Sequence, residues 1–229
     1  MRLLASFFSL CFMAAAAQAA PFVITVNGFD AHGQILPKHA FCTGADETSG
    51  HGDNISPQVN WSAGPEGTLS YALIMQDPDV PTDFADAGKK DKEIPARQPR
   101  QPFYHWVLAD IPATLTSLPE GAESQGVEKD KFKAAKGKYG IRGRNDYTKF
   151  MKDDKKMAGI YLGYDGPCPP WNDARPHRYI FTLYALDTAT LVLPENFTGP
   201  DLVRAMQNHI LAQARSQGMY TLNPRLKKE

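Results

Sequence analysis

A segment rich in glycine and proline, followed directly by an aromatic run, constrains this chain more than any other stretch. Four prolines (Pro167, Pro169, Pro170 and Pro176) and two glycines (Gly163 and Gly166) lie within residues 163–176. Proline lacks the backbone donor and glycine permits tight turns, so the segment is expected to be a shaped loop. Residues 178–186 are aromatic and β-branched, which predicts a strand. Because side chains alternate along a strand, His177 and Tyr179 share one face where the loop becomes the strand.

The first nineteen residues have the pattern of a secretory signal peptide. Arg2 precedes an apolar run over residues 3–17, and Ala17-Gln18-Ala19 fits a small-x-small cleavage site. We expect cleavage after Ala19 and an exported, periplasmic mature chain, with residues 20–229 forming one domain. The run is short for a membrane span, and no later segment reaches the required length. The mature protein is therefore expected to contain no transmembrane segment.

Charge and cysteine content narrow the function classes. The whole chain has 25 basic and 25 acidic side chains, so its balance gives no reason to expect nucleic-acid binding. Cys11 would leave with the signal peptide, so the mature chain would contain only Cys42 and Cys168. In an oxidising compartment these two are predicted to form a disulfide, although two buried free thiols are the alternative.

Most of the predicted elements are strands separated by loops. Strands are expected at 22–29, 59–62, 69–76, 103–111 and 178–186, because apolar or β-branched residues alternate or run together there. Thr198 begins a pattern of apolar residues at helical spacing, which predicts a helix that ends at Gly218, followed by a short strand at 219–222. Strands without regular helix alternation favour a mostly β fold with a largely antiparallel sheet.

Five polar residues lie on or beside the predicted strands: Asp77, Asp79, His105, His177 and Tyr179. A carboxylate buried at a strand end is costly unless it is paired, so these groups should face a cavity or one another. Three kinds of site are compatible with them: a transition-metal site, an acid–base pair, or a pocket for an anion. The chain has no nucleophile-elbow motif and no helical His-x-x-x-His pair, which favours the anion pocket.

Two further polar segments have a simple and a functional interpretation. Asp46, Glu47, His51 and Asp53 could form a metal site, but loop polarity alone accounts for such a cluster. Residues 129–144 are rich in lysine and arginine, which indicates a solvated loop or a docking surface for an anionic partner. We expect the solvated loop, whose lysines would contribute little to stability.

Three ordered motifs resemble the phosphatidylethanolamine-binding proteins, and among them the bacterial Raf-kinase-inhibitor-like branch. They are Asp-Pro-Asp-Val-Pro at 77–81, His-Trp at 105–106, and Gly-Pro-Cys-Pro-Pro at 166–170 with Pro-His-Arg-Tyr at 176–179. The likeness extends over about residues 22–224. It implies a large antiparallel sheet packed on a smaller one, with helical structure near the C-terminus and a small anion pocket at one end.

The resemblance also implies a set of pocket residues and a class of function. The residues that match the family's pocket are Asp77, Asp79, His105, Gly166, Pro169, Pro170, His177 and Tyr179. The expected ligands are phosphate, acetate or the head group of a phospholipid, bound without a metal, a cofactor or catalysis. The alternative is an inhibitor or regulator of a protease or kinase, acting on an envelope protein partner. Relative to the compact bacterial pattern, the resemblance implies insertions at residues 82–102 and 148–162, and we expect them to form the pocket rim.

Overall fold

The computed structural model describes residues 20–44 and 50–226, so the predicted signal peptide and residues 45–49, with Asp46 and Glu47, lie outside the described part. The strands are β1 (Ile24–Asn27), β2 (Cys42–Thr43), β3 (Gly50–His51), β4 (Gln58–Trp61), β5 (Ser70–Pro81), β6 (Arg100–Pro112), β7 (Ser117–Leu118), β8 (Ile141–Arg142), β9 (His177–Leu186) and β10 (Ile210–Tyr220). The helices are α1 (Tyr147–Phe150) and α2 (Gly199–Met206), with one 3₁₀ turn at Pro37–His39.

These strands form one large and one smaller antiparallel sheet, with a two-stranded ribbon beside them. The large sheet has the order β10-β9-β5-β6-β8, the smaller one β1-β4-β7, and β2 pairs with β3. The mostly β, antiparallel fold predicted from the sequence is therefore confirmed. Neither helix in residues 20–44 and 50–226 has the length and apolar character needed to cross a bilayer.

The hydrophobic core lies between the two sheets and continues on the far side of the larger one. Leu73 and Met75 of β5 face the smaller sheet and pack in the same cluster as Val59 of β4. Ala72 and Ile74, on the opposite face of β5, belong to a second cluster that includes Leu202 and Met206 of α2. The predicted alternation along β5 is correct because both of its faces are covered.

Helix α2 begins where the sequence predicts it but ends much earlier. Thr198 and Asp201 form a capping box, which satisfies backbone donors at the first turn. The predicted continuation to Gly218 is wrong, since residues 210–220 form β10 and pair with β9 along its length. Ile210 and Leu211 fit the helical spacing but are about 40% exposed, so the pattern that suggested a helix does not face the core. Pairing with β9 outweighs the local helical pattern, as tertiary contacts often do.

Two irregularities place polar groups at one end of the large sheet. Strand β5 continues five residues beyond the predicted end, through the Asp-Pro-Asp-Val-Pro segment, with a register shift between Asp77 and Val80. In β6, Met75 pairs with Trp106 and Gln76 with Tyr104, so His105 is an extra residue in a bulge. His105 therefore faces the pocket while Val107 packs in the cluster on the far side of the sheet, because the bulge reverses the alternation after His105.

The predicted disulfide is present and connects β2 to the proline-rich loop. Cys42 and Cys168 are bonded, with Cα atoms 4.7 Å apart and a sequence separation of 126. Hydrogen bonds from the amides of Phe41 and Cys42 to the Pro167 carbonyl join the same two segments. The bond therefore fixes the loop that precedes β9 against the ribbon β2–β3.

Replacing either bonded cysteine should lower stability strongly. Closing a loop of this length is worth roughly 4 to 5 kcal/mol in chain-entropy models, which is an upper value. We expect Cys42→Ser and Cys168→Ser to lose similar amounts in urea unfolding, and reduced wild-type protein to match both. Equal stability of the oxidised wild type and the two variants would show that the bond does not brace the fold.

Candidate functional site

A small cavity lies at the end of the large sheet where β5, β6 and β9 meet the proline-rich loop. Its volume is about 40 Å³. The lining residues are Asp77, Val80, Phe84, Phe103, His105, Tyr147, Phe150, Cys168, Pro169, Pro170, His177 and Tyr179. Six of the eight residues expected at the pocket therefore line one cavity, and the other two, Asp79 and Gly166, lie next to it.

His177 is held between two buried carboxylates. Its Nδ1 lies 2.6 Å from Oδ2 of Asp77, and its Nε2 lies 3.1 Å from Oδ2 of Asp173. Carboxylates accept hydrogen bonds, so both ring nitrogens carry protons and the ring is an imidazolium. Burial opposes this charge, but the hydrogen bonds to Asp173 and Asp77 outweigh it and raise the pKa of His177 to about 9. Both N–H donors of His177 are therefore occupied by carboxylates. Its role is to hold the pocket floor in place, because it has no donor left for a ligand.

Arginine side chains extend this ion-pair network behind the pocket. Arg100 of β6 binds Asp173 with both terminal nitrogens and also donates to the backbone carbonyl of Asp79 at 2.9 Å. Asp173 is missing from the residues that the sequence singled out. The sequence feature that could have identified Asp173 is its position four residues before His177, in the loop that precedes β9. Its carboxylate is 1% exposed, which indicates a role in the network.

Asp79 lies behind the pocket and faces two arginines. Arg178 donates to its carboxylate at 2.8 and 2.9 Å, and Arg175 does so at 3.1 Å. Burial opposes ionisation, but the hydrogen bonds from Arg178 lower the pKa of Asp79 below its usual value. The network comprises four cationic groups, His177, Arg100, Arg175 and Arg178, and three carboxylates, Asp77, Asp79 and Asp173. Its formal charges leave one positive charge beside the cavity.

His105 has the opposite protonation state from His177. Its Nδ1 lies 2.7 Å from the backbone carbonyl of Asp165, so the proton of the neutral ring is on Nδ1. Burial lowers the pKa of His105 to about 4, although the charge of Asp77 partly opposes the shift. At neutral pH His105 therefore presents an acceptor, the lone pair of Nε2.

Tyr179 provides a hydrogen-bond donor beside this acceptor. Its ring meets the His105 ring edge to face, with centroids 5.2 Å apart. The buried hydroxyl forms no hydrogen bond of normal geometry with the residues that the structure describes, although the Asp77 carboxylate lies near it. Burial, with the nearby charge of Asp77, raises the pKa of Tyr179 well above its usual value, so the hydroxyl keeps its proton. An unpartnered buried hydroxyl is costly, which makes it the natural contact for a bound molecule.

Gly166 shapes the pocket wall from outside the cavity. A side chain at this position would come within 2.0 Å of the backbone carbonyl oxygen of His39, so only glycine fits. The Gly166 carbonyl accepts a hydrogen bond from the Tyr147 hydroxyl at 2.9 Å, and its amide donates to Asn54 at 2.8 Å. Gly166 therefore positions Tyr147, a lining residue that sequence reasoning missed.

The two insertions form part of the pocket rim. Phe84 belongs to the first insertion and Phe150 to the second, and their ring centroids are 5.5 Å apart. Phe103 of β6 lies edge to face with Phe150 at 6.1 Å and with Tyr147 at 5.1 Å. The position of the insertions beside the motifs suggested such a rim, but sequence alone did not identify the two phenylalanines.

Part of the lysine-rich segment is a structural element and not a solvated loop. The Lys131 ammonium group donates to Asp165 at 2.7 Å and to the Tyr164 carbonyl at 2.8 Å, and its side chain is 9% exposed. Arg142 forms a buried pair with Glu123 at 2.7 Å. The expectation that these lysines contribute little to stability is wrong for Lys131, because burial and pairing were not visible in the charge pattern. Lys133 and Lys136 are exposed, as expected.

The described residues contain no group of three or more His, Cys, Asp or Glu side chains placed to hold a metal ion. His51 and Asp53, from the polar cluster considered above, are in this described part, whereas Asp46 and Glu47 are not. The carboxylates at the pocket are instead paired with His177 and the arginines.

Comparison with known proteins agrees with this fold. The sequence profile of the family described as "Phosphatidylethanolamine-binding protein" matches residues 27–221. The chain is 31% identical to the Escherichia coli protein UPF0098 YbcL over 93% of this chain and 94% of that protein. It is also 32% identical to a UPF0098 protein of Aquifex aeolicus over 82% of each chain.

A solved structure leads to the same assignment. The crystal structure of Escherichia coli YbcL, described as a new member of the mammalian PEBP family, superposes with a TM-score of 0.63 at 30% identity. The match covers 88% of this chain and 99% of that one. The chain therefore belongs to the phosphatidylethanolamine-binding protein family.

Stability should depend on pH through His177. The folded protein keeps the imidazolium proton up to about pH 9, whereas an unfolded histidine loses it near pH 6.5. The stabilisation is therefore complete below about pH 6.5 and is lost as the pH rises to 9, up to about 3 kcal/mol. In urea unfolding, His177→Gln should flatten this alkaline decline. An exposed-histidine control, His209→Gln, should keep it, and an equal decline in all three proteins would contradict the assignment.

Proposed function

We propose that this protein is an exported binding protein for small anionic groups such as phosphate or a phosphomonoester head group. The Tyr179 hydroxyl carries the proposal, because it is buried without a hydrogen bond of normal geometry and Tyr179 lines the cavity together with His105. The surplus positive charge of the network behind the pocket favours an anion. The role of Asp77 is to fix His177, since its two carboxylate oxygens already accept from His177 and from the Asp79 amide.

The protonation states favour a singly charged, protonated anion. Neutral His105 accepts a hydrogen bond, so the ligand should bring its own proton, as the monoanion of a phosphomonoester does. Tyr179 would donate to one of the other oxygens. A phosphomonoester loses its second proton near pH 6, so affinity should fall as the pH rises above that value.

Binding without catalysis accounts for the pocket's composition. No serine, threonine or free thiol lines the cavity in the described residues, and Cys168 is already bonded to Cys42. Acyl transfer through a serine, threonine or cysteine nucleophile would need such a group. The paired carboxylates and His177 are likewise bonded to one another, which suits a fixed binding surface.

The insertions also bear on the alternative function, inhibition of a protein partner. Phe84 and Phe150 line the same cavity as His105 and Tyr179. A partner that contacted the insertions would therefore cover the pocket mouth. This placement favours a ligand-binding role for the insertions, and a ligand would compete with any partner bound there.

Removing the Tyr179 hydroxyl should weaken anion binding without unfolding the protein. A hydrogen bond to a charged group contributes about 1.5 to 3 kcal/mol, so Tyr179→Phe should lose about tenfold or more in affinity for phosphate by calorimetry. The matched control is Tyr164→Phe, whose hydroxyl donates to the His39 carbonyl at 2.6 Å outside the cavity. That variant should lose stability and keep its affinity. Unchanged phosphate affinity in Tyr179→Phe would refute the proposed contact.

Export requires removal of residues 1–19. The disulfide supports an oxidising compartment, where such bonds persist. When the full chain is expressed in a bacterium, the envelope fraction should contain a species with the intact mass of residues 20–229. Ala17→Leu, which removes the small residue of the cleavage site, should accumulate as the precursor. Full-length protein in the cytosolic fraction for both forms would contradict export.

A further inference from the structure

A second, larger cavity lies next to the small pocket and shares part of its wall. Its volume is about 300 Å³. Four side chains line both cavities: Val80, Phe84, Phe103 and Phe150. We call the small cavity the inner pocket and the larger one the outer cleft. The three shared phenylalanines form a rim between them.

The inner pocket is too small for more than an anionic head group. A cavity needs about 10 to 15 Å³ to hold one water molecule, so 40 Å³ corresponds to about three waters. This is the size of a small oxyanion without a substituent. Any group bonded to that anion must leave the inner pocket past the rim.

The rim exposes aromatic surface that a flat apolar group could cover. Phe150 is 51% exposed, and Phe84 and Phe103 are partly buried, so all three rings have free surface. The Phe84 and Phe150 rings are tilted at 57° to one another with centroids 5.5 Å apart. Exposed aromatic surface at the mouth of a polar pocket is where an aromatic substituent would gain most from burial.

Lysines line the outer cleft beyond the rim. Lys149 and Lys152 belong to its lining and are exposed. The carboxylate of Asp146 also lines the cleft, but it accepts a hydrogen bond from the Tyr104 amide at 2.8 Å. The lining therefore has two ammonium groups and one engaged carboxylate, and the exposed Asp153 carboxylate lies 3.8 Å from Lys152 outside the lining. A second negative charge on the ligand would be favoured there.

We propose that the rim and outer cleft form a second ligand subsite that selects the substituent on the bound anion. The preferred ligand is a phosphomonoester or similar anion with a flat aromatic group, and with a second negative charge at its far end. The anion binds His105 and Tyr179, the aromatic group lies against Phe84 and Phe150, and the far charge meets Lys149 and Lys152. This inference rests on the proposed anion-binding function, to which it adds the ligand class.

Calorimetry at about pH 5, where each phosphate group keeps one proton, tests the subsite with three probes: inorganic phosphate, phenyl phosphate and 4-carboxyphenyl phosphate. Aromatic contact contributes about 0.5 to 1.5 kcal/mol, so phenyl phosphate should bind about two- to tenfold more tightly than phosphate. In Phe84→Ala and Phe150→Ala the ratio of phenyl phosphate affinity to phosphate affinity should fall to about one. Lys149→Met and Lys152→Met should weaken only 4-carboxyphenyl phosphate, and added salt should weaken that probe more than phenyl phosphate. Lys138→Met, whose ammonium lies over Tyr139, is the matched control and should behave as wild type.

Each failure has a distinct meaning in this experiment. If wild-type protein binds none of the probes, the proposed anion pocket is wrong and the inference with it. If phosphate binds but phenyl phosphate binds no more tightly, the pocket stands and the subsite is wrong. If Phe84→Ala strengthens both probes equally, the rim obstructs the pocket, which also overturns the subsite. Thermal unfolding of each variant is the control that the substitution at the partly exposed rim leaves the fold intact.

Discussion

The buried ion pair of His177 with Asp77 and Asp173 is the interaction on which the rest of the site depends. Asp77 is in β5, His177 is the first residue of β9, and Asp173 belongs to the loop before it. Arg100 of β6 completes the network by binding Asp173. Three strands and the proline-rich loop are thus joined by charges that are almost fully buried. Breaking such a network exposes its remaining charges to an apolar interior, which is more costly than never having buried them.

The network also explains how one pocket contains two histidines in different protonation states. His177 faces two carboxylates and is charged, whereas His105 faces a backbone carbonyl and is neutral. Neither state follows from the residue type, because burial alone lowers the pKa of both rings. The β6 bulge is equally important, since it turns His105 towards Tyr179. The bulge and the ion pair together leave one donor and one acceptor facing the cavity.

The sequence predicted five of the ten described strands, the disulfide and six of the twelve residues that line the pocket, and most of these have a local signature. Alternation along β5 and β9 and the fixed geometry of proline are properties of neighbouring residues. The failures concern distant contacts. Residues 210–220 form a strand because β9 is available to pair with them, and Lys131 is buried because Asp165 lies 2.7 Å away. Asp173 was overlooked for the same reason, since its importance comes from Arg100, 73 residues earlier.

The insertions show how such a site can change its ligand without changing its chemistry. Phe84 follows the Asp-Pro-Asp-Val-Pro segment by three residues, and Phe150 ends α1, whose first residue, Tyr147, lines the pocket. Both segments begin beside residues of the cavity, so their side chains reach the cavity mouth. The hydrogen bonds of His177 go to Asp77 and Asp173, so they do not depend on either phenylalanine. Rim residues can therefore differ without breaking the buried network that holds the pocket floor.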